Sequence, residues 1–261
     1  PPLRVAPPCP RCDDGKNTQG QGKDMTREPL VMIPPMLCDA RVFAPLTAAM
    51  SVDHATCIMP TTGGDRIEDI ASRILDWAPA RFALLGAGMG GAVALEVIRR
   101  APTRVLRIAL MNCTSQPETP QTSAAREPLI VAARAGRFKD VVAQEMPAAC
   151  FAEGPHRRTA MECVTDMAWA MGPEHYVTQA RAMQRRRDQS ATLRQIRQPA
   201  MVICGAEDTI YPVRRHEFMA EMIPYSRLEV IEGAGHLPML EQPEATLAVM
   251  RDWMRQPLVL R

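Results

Sequence analysis

Three groups of residues in this chain have the types that could carry chemistry. Cys9 and Cys12 form a close pair near the N-terminus. A glycine-rich turn at residues 86–91 follows an apolar run, and Asp208 and His236 lie in two later loops. Cysteine pairs bind metals or exchange disulfides, glycine-rich turns sharpen bends or cradle phosphates, and carboxylates and imidazoles transfer protons. Each of these chemistries requires additional residues, so we ask for each group whether the sequence supplies them.

The cysteine pair lacks the partners that a metal site needs. The sequence Cys9-Pro-Arg-Cys12 has metal-knuckle or redox spacing, but a structural zinc site has four ligands and no second such pair follows. The pair lies in residues 1–26, which are rich in proline, glycine and polar residues and show no apolar period. This composition predicts a disordered N-terminal tail. We therefore interpret the pair as incidental and expect no metal site.

Composition limits the partners of the chain. Its 261 residues include 31 basic and 29 acidic residues, a net charge of +2, whereas nucleic-acid-binding modules usually carry a marked basic excess. No run approaches 18 consecutive apolar residues, so we expect no membrane partner. The eight cysteines are irregularly spaced and several lie in apolar runs. We expect a reduced, cytoplasmic protein, and the sequence leaves its oligomeric state open.

Short apolar runs alternate with helical patterns along most of the chain. The runs that predict buried strands are residues 30–33, 55–59, 82–85, 105–111, 200–204 and 227–231. Strands that alternate with helices predict an α/β fold with a doubly wound, mostly parallel sheet. Residues 115–198 carry helical patterns only. We predict that this stretch is a helical cap inserted into a core formed by residues 27–114 and 199–261.

Four segments together resemble the α/β-hydrolase family, one of them residues 33–43, which resemble the loop that supplies an oxyanion-hole amide. Residues 84–91 run from a strand through a sharp turn into a helix and resemble the nucleophile elbow G-x-S-x-G, with Gly88 where the family has serine. Residues 204–212 resemble the segment that carries the acid of the catalytic triad, and residues 231–238 resemble the loop that carries the histidine. The order of elbow, acid and histidine is also that of the family.

The resemblance covers residues 29–256 and implies roles for particular residues. Asp208 would be the triad acid, His236 the catalytic base and Gly88 the nucleophile position. The oxyanion-hole amides would be those of Met36, in the loop after the first predicted strand, and of Met89, after the elbow residue. The resemblance implies esterase-like chemistry on small esters, lactones or related carbonyl compounds, without a metal or organic cofactor.

The glycine-rich turn also has a nucleotide-binding interpretation. Gly86, Gly88 and Gly91 match the spacing G-x-G-x-x-G. That fingerprint normally occupies the first strand–helix turn, whereas this turn follows two other predicted strands, and no acidic residue ends the next strand. The nucleotide interpretation also leaves Asp208 and His236 unexplained, so we favour the resemblance to hydrolases.

Gly88 lacks the hydroxyl with which the family attacks carbonyl carbon. Loss of this nucleophile costs on the order of 10⁶ in turnover, so we expect serine-dependent hydrolysis to be absent or very low. Three interpretations remain open: an engineered replacement of serine, a natural non-catalytic protein that binds a small ligand, or a cofactor-free hydrolase or lyase in which His236 acts as base on water or substrate. Pro34-Pro35, where the family usually has His-Gly or Pro-Gly, supports the second. Residues 113–115 could supply another nucleophile, but we favour a turn there.

Overall fold

The computed structural model describes residues 28–258, which fold around a parallel β-sheet. Its strands are β1 (Leu30–Ile33), β2 (Thr56–Ile58), β3 (Phe82–Ala87), β4 (Val105–Met111), β5 (Ala200–Gly205) and β6 (Ser226–Ile231). Their order across the sheet is β2-β1-β3-β4-β5-β6, and every neighbouring pair is parallel. The chain winds outward from β1 to one edge and then from β3 to the other, which confirms the predicted doubly wound sheet.

Helices connect the strands on both faces of the sheet. They are α1 (Ala44–Met50), α2 (Ile67–Trp77), α3 (Met89–Arg100), α4 (Pro120–Arg134), α5 (Phe138–Glu145), α6 (Arg157–Met171), α7 (Pro173–Gln184), α8 (Ser190–Gln195), α9 (Val213–Met222), α10 (Pro238–Glu241) and α11 (Pro243–Arg255). Alternate residues of each strand enter opposite cores, as the two-residue period requires. Val31 and Leu84 pack with α2, α3 and α9, whereas Met32 and Leu85 pack with α1 and α11.

The connection between β4 and β5 consists of helices α4–α8. Helix α4 begins at Pro120, because the side chain of Thr119 accepts a hydrogen bond from the N–H of Thr122 and Pro120 occupies the first helical position. The helix then continues through Pro128. The division of the chain into a core and a cap at residues 115–198 stays a prediction.

Two sequence predictions concern residues outside the described part of the chain. These are the disordered tail at residues 1–26 and the incidental pair Cys9 and Cys12. Within residues 28–258, no helix has both the length and the apolar character needed to cross a membrane.

Candidate active site

The turn between β3 and α3 places Gly88 at the carboxyl edge of the sheet. Its φ of +53° and ψ of −120° are unfavourable for residues with a side chain. The N–H of Gly88 donates to the carbonyl of Met111 at 3.0 Å, and its own carbonyl accepts from the N–H of Gly91 at 3.0 Å. The bend is therefore held both by the neighbouring strand β4 and by the first turn of α3.

The space next to the Cα of Gly88 is occupied by Pro35. A Cβ built on Gly88 would lie 2.9 Å from the Cβ and 3.3 Å from the Cα of Pro35. Carbon atoms in contact normally lie about 3.5–4.0 Å apart. The start of α3 and the end of β1 also meet at Gly90, where a Cβ would lie 2.1 Å from the carbonyl oxygen of Ile33. A side chain at residue 88 would therefore require Pro35 to move.

Asp208 and His236, in the loops after β5 and β6, form a buried pair. The distance from His236 Nδ1 to Asp208 Oδ2 is 3.0 Å, and the two residues are 5% and 4% exposed. With Nδ1–H donating to the carboxylate, Nε2 is the ring nitrogen that retains a lone pair. The backbone N–H of His236 donates to the carbonyl of Cys150 at 2.7 Å. The arrangement orients the imidazole in the way a general base requires.

Further donors hold the Asp208 carboxylate in its ionised form. Asn112 Nδ2 donates to Oδ2 at 2.7 Å, and the N–H groups of Ile210 and Tyr211 donate to Oδ1 at 2.8 and 3.1 Å. Burial raises the pKa of Asp208, but the charge and hydrogen bond of His236, together with the amide of Asn112, outweigh burial and lower this pKa below its ordinary value. Asp208 is therefore an anion at neutral pH.

A second buried carboxylate, Glu241, fixes the loop that carries His236. Its Oε2 accepts from the N–H groups of Gly235 and Ala152 at 2.9 and 2.7 Å, and its Oε1 accepts from the N–H of Leu237 at 2.8 Å. Burial raises the pKa of Glu241, and these N–H groups only partly offset that effect. Glu241 thus ties the residues on either side of His236 to the β4–β5 connection.

A small cavity joins the glycine turn to the imidazole. Its volume is about 50 Å³, and its walls include Gly88, His236, Pro35, Met146 and Tyr211. Since liquid water takes about 30 Å³ per molecule, this space holds about one or two water molecules. The cavity is where a molecule small enough to enter would meet the free nitrogen of His236.

Met36 and Met89 also border the cavity, and within residues 28–258 no hydrogen bond is found from the backbone N–H of either residue. The next amide, that of Leu37, donates to Gln179 Oε1 at 3.0 Å, and Gln179 Nε2 donates to Thr61 at 2.9 Å. Leu37 has a φ of +63°, which is strained for leucine. Helix α7, through Gln179, therefore holds the loop after β1 in a conformation that leaves the Met36 amide unpaired.

Residues 113–115 do not border this cavity. The thiol of Cys113 faces Gly91, where a Cβ would lie 2.4 Å from its Sγ, and burial raises the pKa of Cys113 to about 12. Such a thiol is a poor nucleophile. The hypothesis that these residues replace the missing serine therefore has no support in the geometry.

In the described part of the chain, no group of three or more His, Cys, Asp or Glu side chains could hold a metal ion.

Comparison with known proteins gives the family of this chain. A profile described as the alpha/beta hydrolase family matches residues 36–249. The chain belongs to the alpha/beta hydrolase family. This hydrolase-family chain is 29% identical over 204 residues to a pimeloyl-[acyl-carrier protein] methyl ester esterase of Aromatoleum aromaticum, covering 74% of the chain and 81% of the relative. It is 25% identical over 193 residues to a putative carbamate hydrolase RutD of Agrobacterium fabrum, covering 71% and 72%.

Solved structures of an esterase and an enol-lactonase share this fold. A thermophilic esterase from Thermogutta terrifontis aligns with a TM-score of 0.79 at 24% identity, covering 87% of this chain and 89% of the esterase. The enol-lactonase from Burkholderia xenovorans LB400 aligns with a TM-score of 0.77 at 21% identity, covering 90% and 94%. At these identities the likeness concerns the fold alone.

The structure brings the five residues singled out from the sequence into one region. Gly88, Met36, Met89 and His236 border the cavity, and Asp208 lies behind His236. Their catalytic roles stay predictions. Sequence reasoning missed Asn112, Glu241 and Gln179. Asn112 could have been found, because it directly follows a buried strand, whereas no sequence pattern indicates the long-range contacts of Gln179.

Proposed function

We propose that this chain binds a small ester, lactone or related carbonyl compound next to His236 and hydrolyses it with water instead of a serine nucleophile. The observation that carries the proposal is the 3.0 Å contact between Asp208 and His236, with the ring on the wall of a cavity that Gly88 also borders. The esterase and carbamate hydrolase among the relatives support hydrolysis of a carbonyl compound as the reaction class.

The proposed reaction uses His236 first as base and then as acid. Nε2 takes a proton from a water molecule while the water oxygen attacks the carbonyl carbon. The carbonyl electrons move to oxygen, and the N–H groups of Met36 and Met89 stabilise the oxyanion. When the tetrahedral intermediate collapses, the alcohol leaves and receives the proton from Nε2. Asp208 stabilises the imidazolium between the two steps.

A second candidate function is non-catalytic binding of the same class of ligand. The contact between Pro35 and Gly88 favours it, because the site has no room for the family's nucleophile as it stands. The same contact speaks against Gly88 as a single engineered replacement in an otherwise unchanged serine hydrolase. A serine at residue 88 would have needed a smaller residue or a shifted backbone at position 35.

Hydrolysis of p-nitrophenyl acetate and butyrate tests these candidates. We expect slow turnover without an initial burst, since no acyl-enzyme forms, and a fall of about 10²–10⁴-fold in His236→Ala. His175→Ala is the matched control, because His175 is exposed and lies outside the cavity. Activity that survives His236→Ala would overturn the hydrolase proposal. Ester binding without turnover in the unaltered chain would instead establish the binding protein.

Serine substitutions test the role of Pro35. We expect Gly88→Ser alone to give little or no burst, whereas Pro35→Gly combined with Gly88→Ser gives one, because the double variant makes room for the serine side chain. Full activity in the single variant would show that Pro35 yields readily and would restore the interpretation of a simple replacement.

A further inference from the structure

The cavity at His236 is too small for a whole ester. Ligand sites for small molecules usually measure about 300–1,000 Å³, whereas this cavity measures about 50 Å³. It can surround the reacting carbonyl group but not the chain attached to it. If the proposed hydrolysis takes place here, the remainder of the substrate must lie in an adjoining space.

An apolar groove between α5 and α6 offers such a space. Its volume is about 270 Å³. Val142, Phe151 and Val164 line it and are buried, whereas Trp169, at 52% exposure, lies in solvent contact. Lys139 and Thr165 add the charged and hydroxyl groups of the lining, and most of the remaining surface is aliphatic, aromatic or thioether. A surface of this kind favours a hydrocarbon over a charged or strongly hydrated ligand.

Met146 lines both the groove and the cavity. Its side chain borders both spaces, is half-buried and packs against the hydrophobic clusters on either side. Met146 directly follows the last residue of α5, where its N–H donates to the carbonyl of Val142 at 3.0 Å. An unbranched thioether with three rotatable bonds can change its rotamer at little cost. A movement of this one side chain would connect the two spaces.

We propose that the groove between α5 and α6 binds the linear alkyl chain of the substrate, and that Met146 is the gate through which this chain reaches His236. The assignment of the carbonyl end rests on the proposed function, but the binding of the alkyl chain does not require turnover. Each methylene that enters the groove should improve affinity about fourfold, the factor that corresponds to about 0.8 kcal/mol.

Binding of butyl, hexyl and octyl methyl ketones tests the groove without hydrolysis. The ketones carry the carbonyl group but have no bond that water can cleave. Changes in fluorescence on titration in a Trp77→Phe background report occupancy of the groove, because Trp169 borders the groove and the other remaining tryptophan, Trp253, is fully buried away from it. We expect affinity to rise by about an order of magnitude from one ketone to the next. Ala143→Phe fills the groove from an exposed position and should remove this chain-length dependence, and Gln144→Phe, at the neighbouring exposed position outside the lining, should retain it.

The outcomes test binding of the alkyl chain in the groove separately from the proposed hydrolysis. Affinity that does not change with chain length, or a dependence that survives Ala143→Phe, overturns the groove as a binding site. A dependence present in the unaltered chain and in Gln144→Phe but lost in Ala143→Phe supports the groove, even if p-nitrophenyl esters are not hydrolysed. Met146→Phe tests the gate: it should weaken binding of the octyl ketone at least tenfold, and an unchanged affinity would exclude Met146 as the gate.

Discussion

At the scale of single residues, Gly88 and Pro35 fill each other's space, and this contact predicts a stability effect. Gly88→Ala would place a Cβ 2.9 Å from Pro35 in a backbone conformation with φ +53°. We expect the free energy of unfolding to fall by about 1–3 kcal/mol, as measured by urea denaturation.

The control for this substitution is Gly154→Ala. A Cβ on Gly154 has nothing within 4 Å, and its φ is not in the left-handed region. This variant should be neutral or slightly stabilising. Equal losses in both variants would contradict the special role of the contact, and the combination with Pro35→Gly should recover part of the loss at residue 88.

The buried carboxylate of Asp208 predicts a dependence of stability on pH. Since its pKa in the folded state lies below the ordinary value of 3.8, the ionised carboxylate stabilises the fold above that pH. This contribution is lost as the pH falls through the lowered pKa. Asp208→Asn should reduce the free energy of unfolding at pH 7 by about 1–3 kcal/mol and flatten its decline below about pH 4. Urea titrations at several pH values measure both effects. If stability declined below pH 4 in Asp208→Asn as steeply as in the unaltered chain, Asp208 would not be the source of that decline.

The residues found only in the structure share a physical property. Asp208 and His236 follow strands in a recognisable order, so their proximity could be inferred from the sequence. Asn112 and Glu241 act through polar contacts with residues about 90 or more positions away, including Asn112 with Asp208 and Glu241 with Ala152. Such contacts depend on the packed fold: the place of Asn112 directly after a buried strand could have drawn attention to it, but no local pattern identifies its partner or the partners of Glu241.

At the scale of secondary-structure elements, Gln179 makes α7 a support for the loop after β1. Gln179→Leu would leave the buried N–H of Leu37 and the hydroxyl of Thr61 without their partner. We expect a loss of about 1–3 kcal/mol in the free energy of unfolding, together with slower ester hydrolysis if Met36 holds the oxyanion. Gln179→Glu should retain more of the stability and more of the hydrolysis rate than Gln179→Leu, because it keeps an acceptor for the Leu37 N–H.

The exposed residue Gln195 supplies the control, since Gln195→Leu should change stability by less than about 0.5 kcal/mol. An equal, small effect at both glutamines would show that α7 does not support the loop.

The sheet was easier to predict than the helices between β4 and β5. Strands β1, β3 and β5 are short apolar runs that are buried along their whole length, which makes them conspicuous in the sequence, whereas the edge strands β2 and β6 are only partly buried and β6 contains Arg227 and Glu229. The order of the strands could not be obtained from those runs. The helical character of residues 115–198 was visible in the sequence, but the bounds of short helices such as α8 and of the proline-containing α4 were not, because short amphipathic helices and proline positions give ambiguous local signals.

At the scale of the whole molecule, the β4–β5 connection shares its hydrophobic clusters with the sheet. Met183 and Leu193 belong to the cluster on one face, and Phe151 and Val164 to the cluster on the other. We therefore expect the described chain to unfold as one cooperative unit, although the sequence suggests a cap and a core.

Two probes in one variant test this cooperativity. In Trp77→Phe combined with Trp169→Phe, which removes two exposed tryptophans, fluorescence reports the fully buried Trp253. Circular dichroism at the same time follows the helices, many of which lie between β4 and β5. Coincident urea midpoints are expected. Helical signal lost before Trp253 becomes exposed would show that the connection unfolds separately.

The hydrogen bonds at residues 150–152 bear on how new specificities can be built into this scaffold. Cys150 accepts from the backbone of His236, and Ala152 donates to Glu241. A chimaera that exchanges the whole β4–β5 connection with that of another hydrolase would also exchange these two anchors. Grafts that begin after Ala152, or end before Cys150, would instead vary the groove while keeping the native support of the histidine loop.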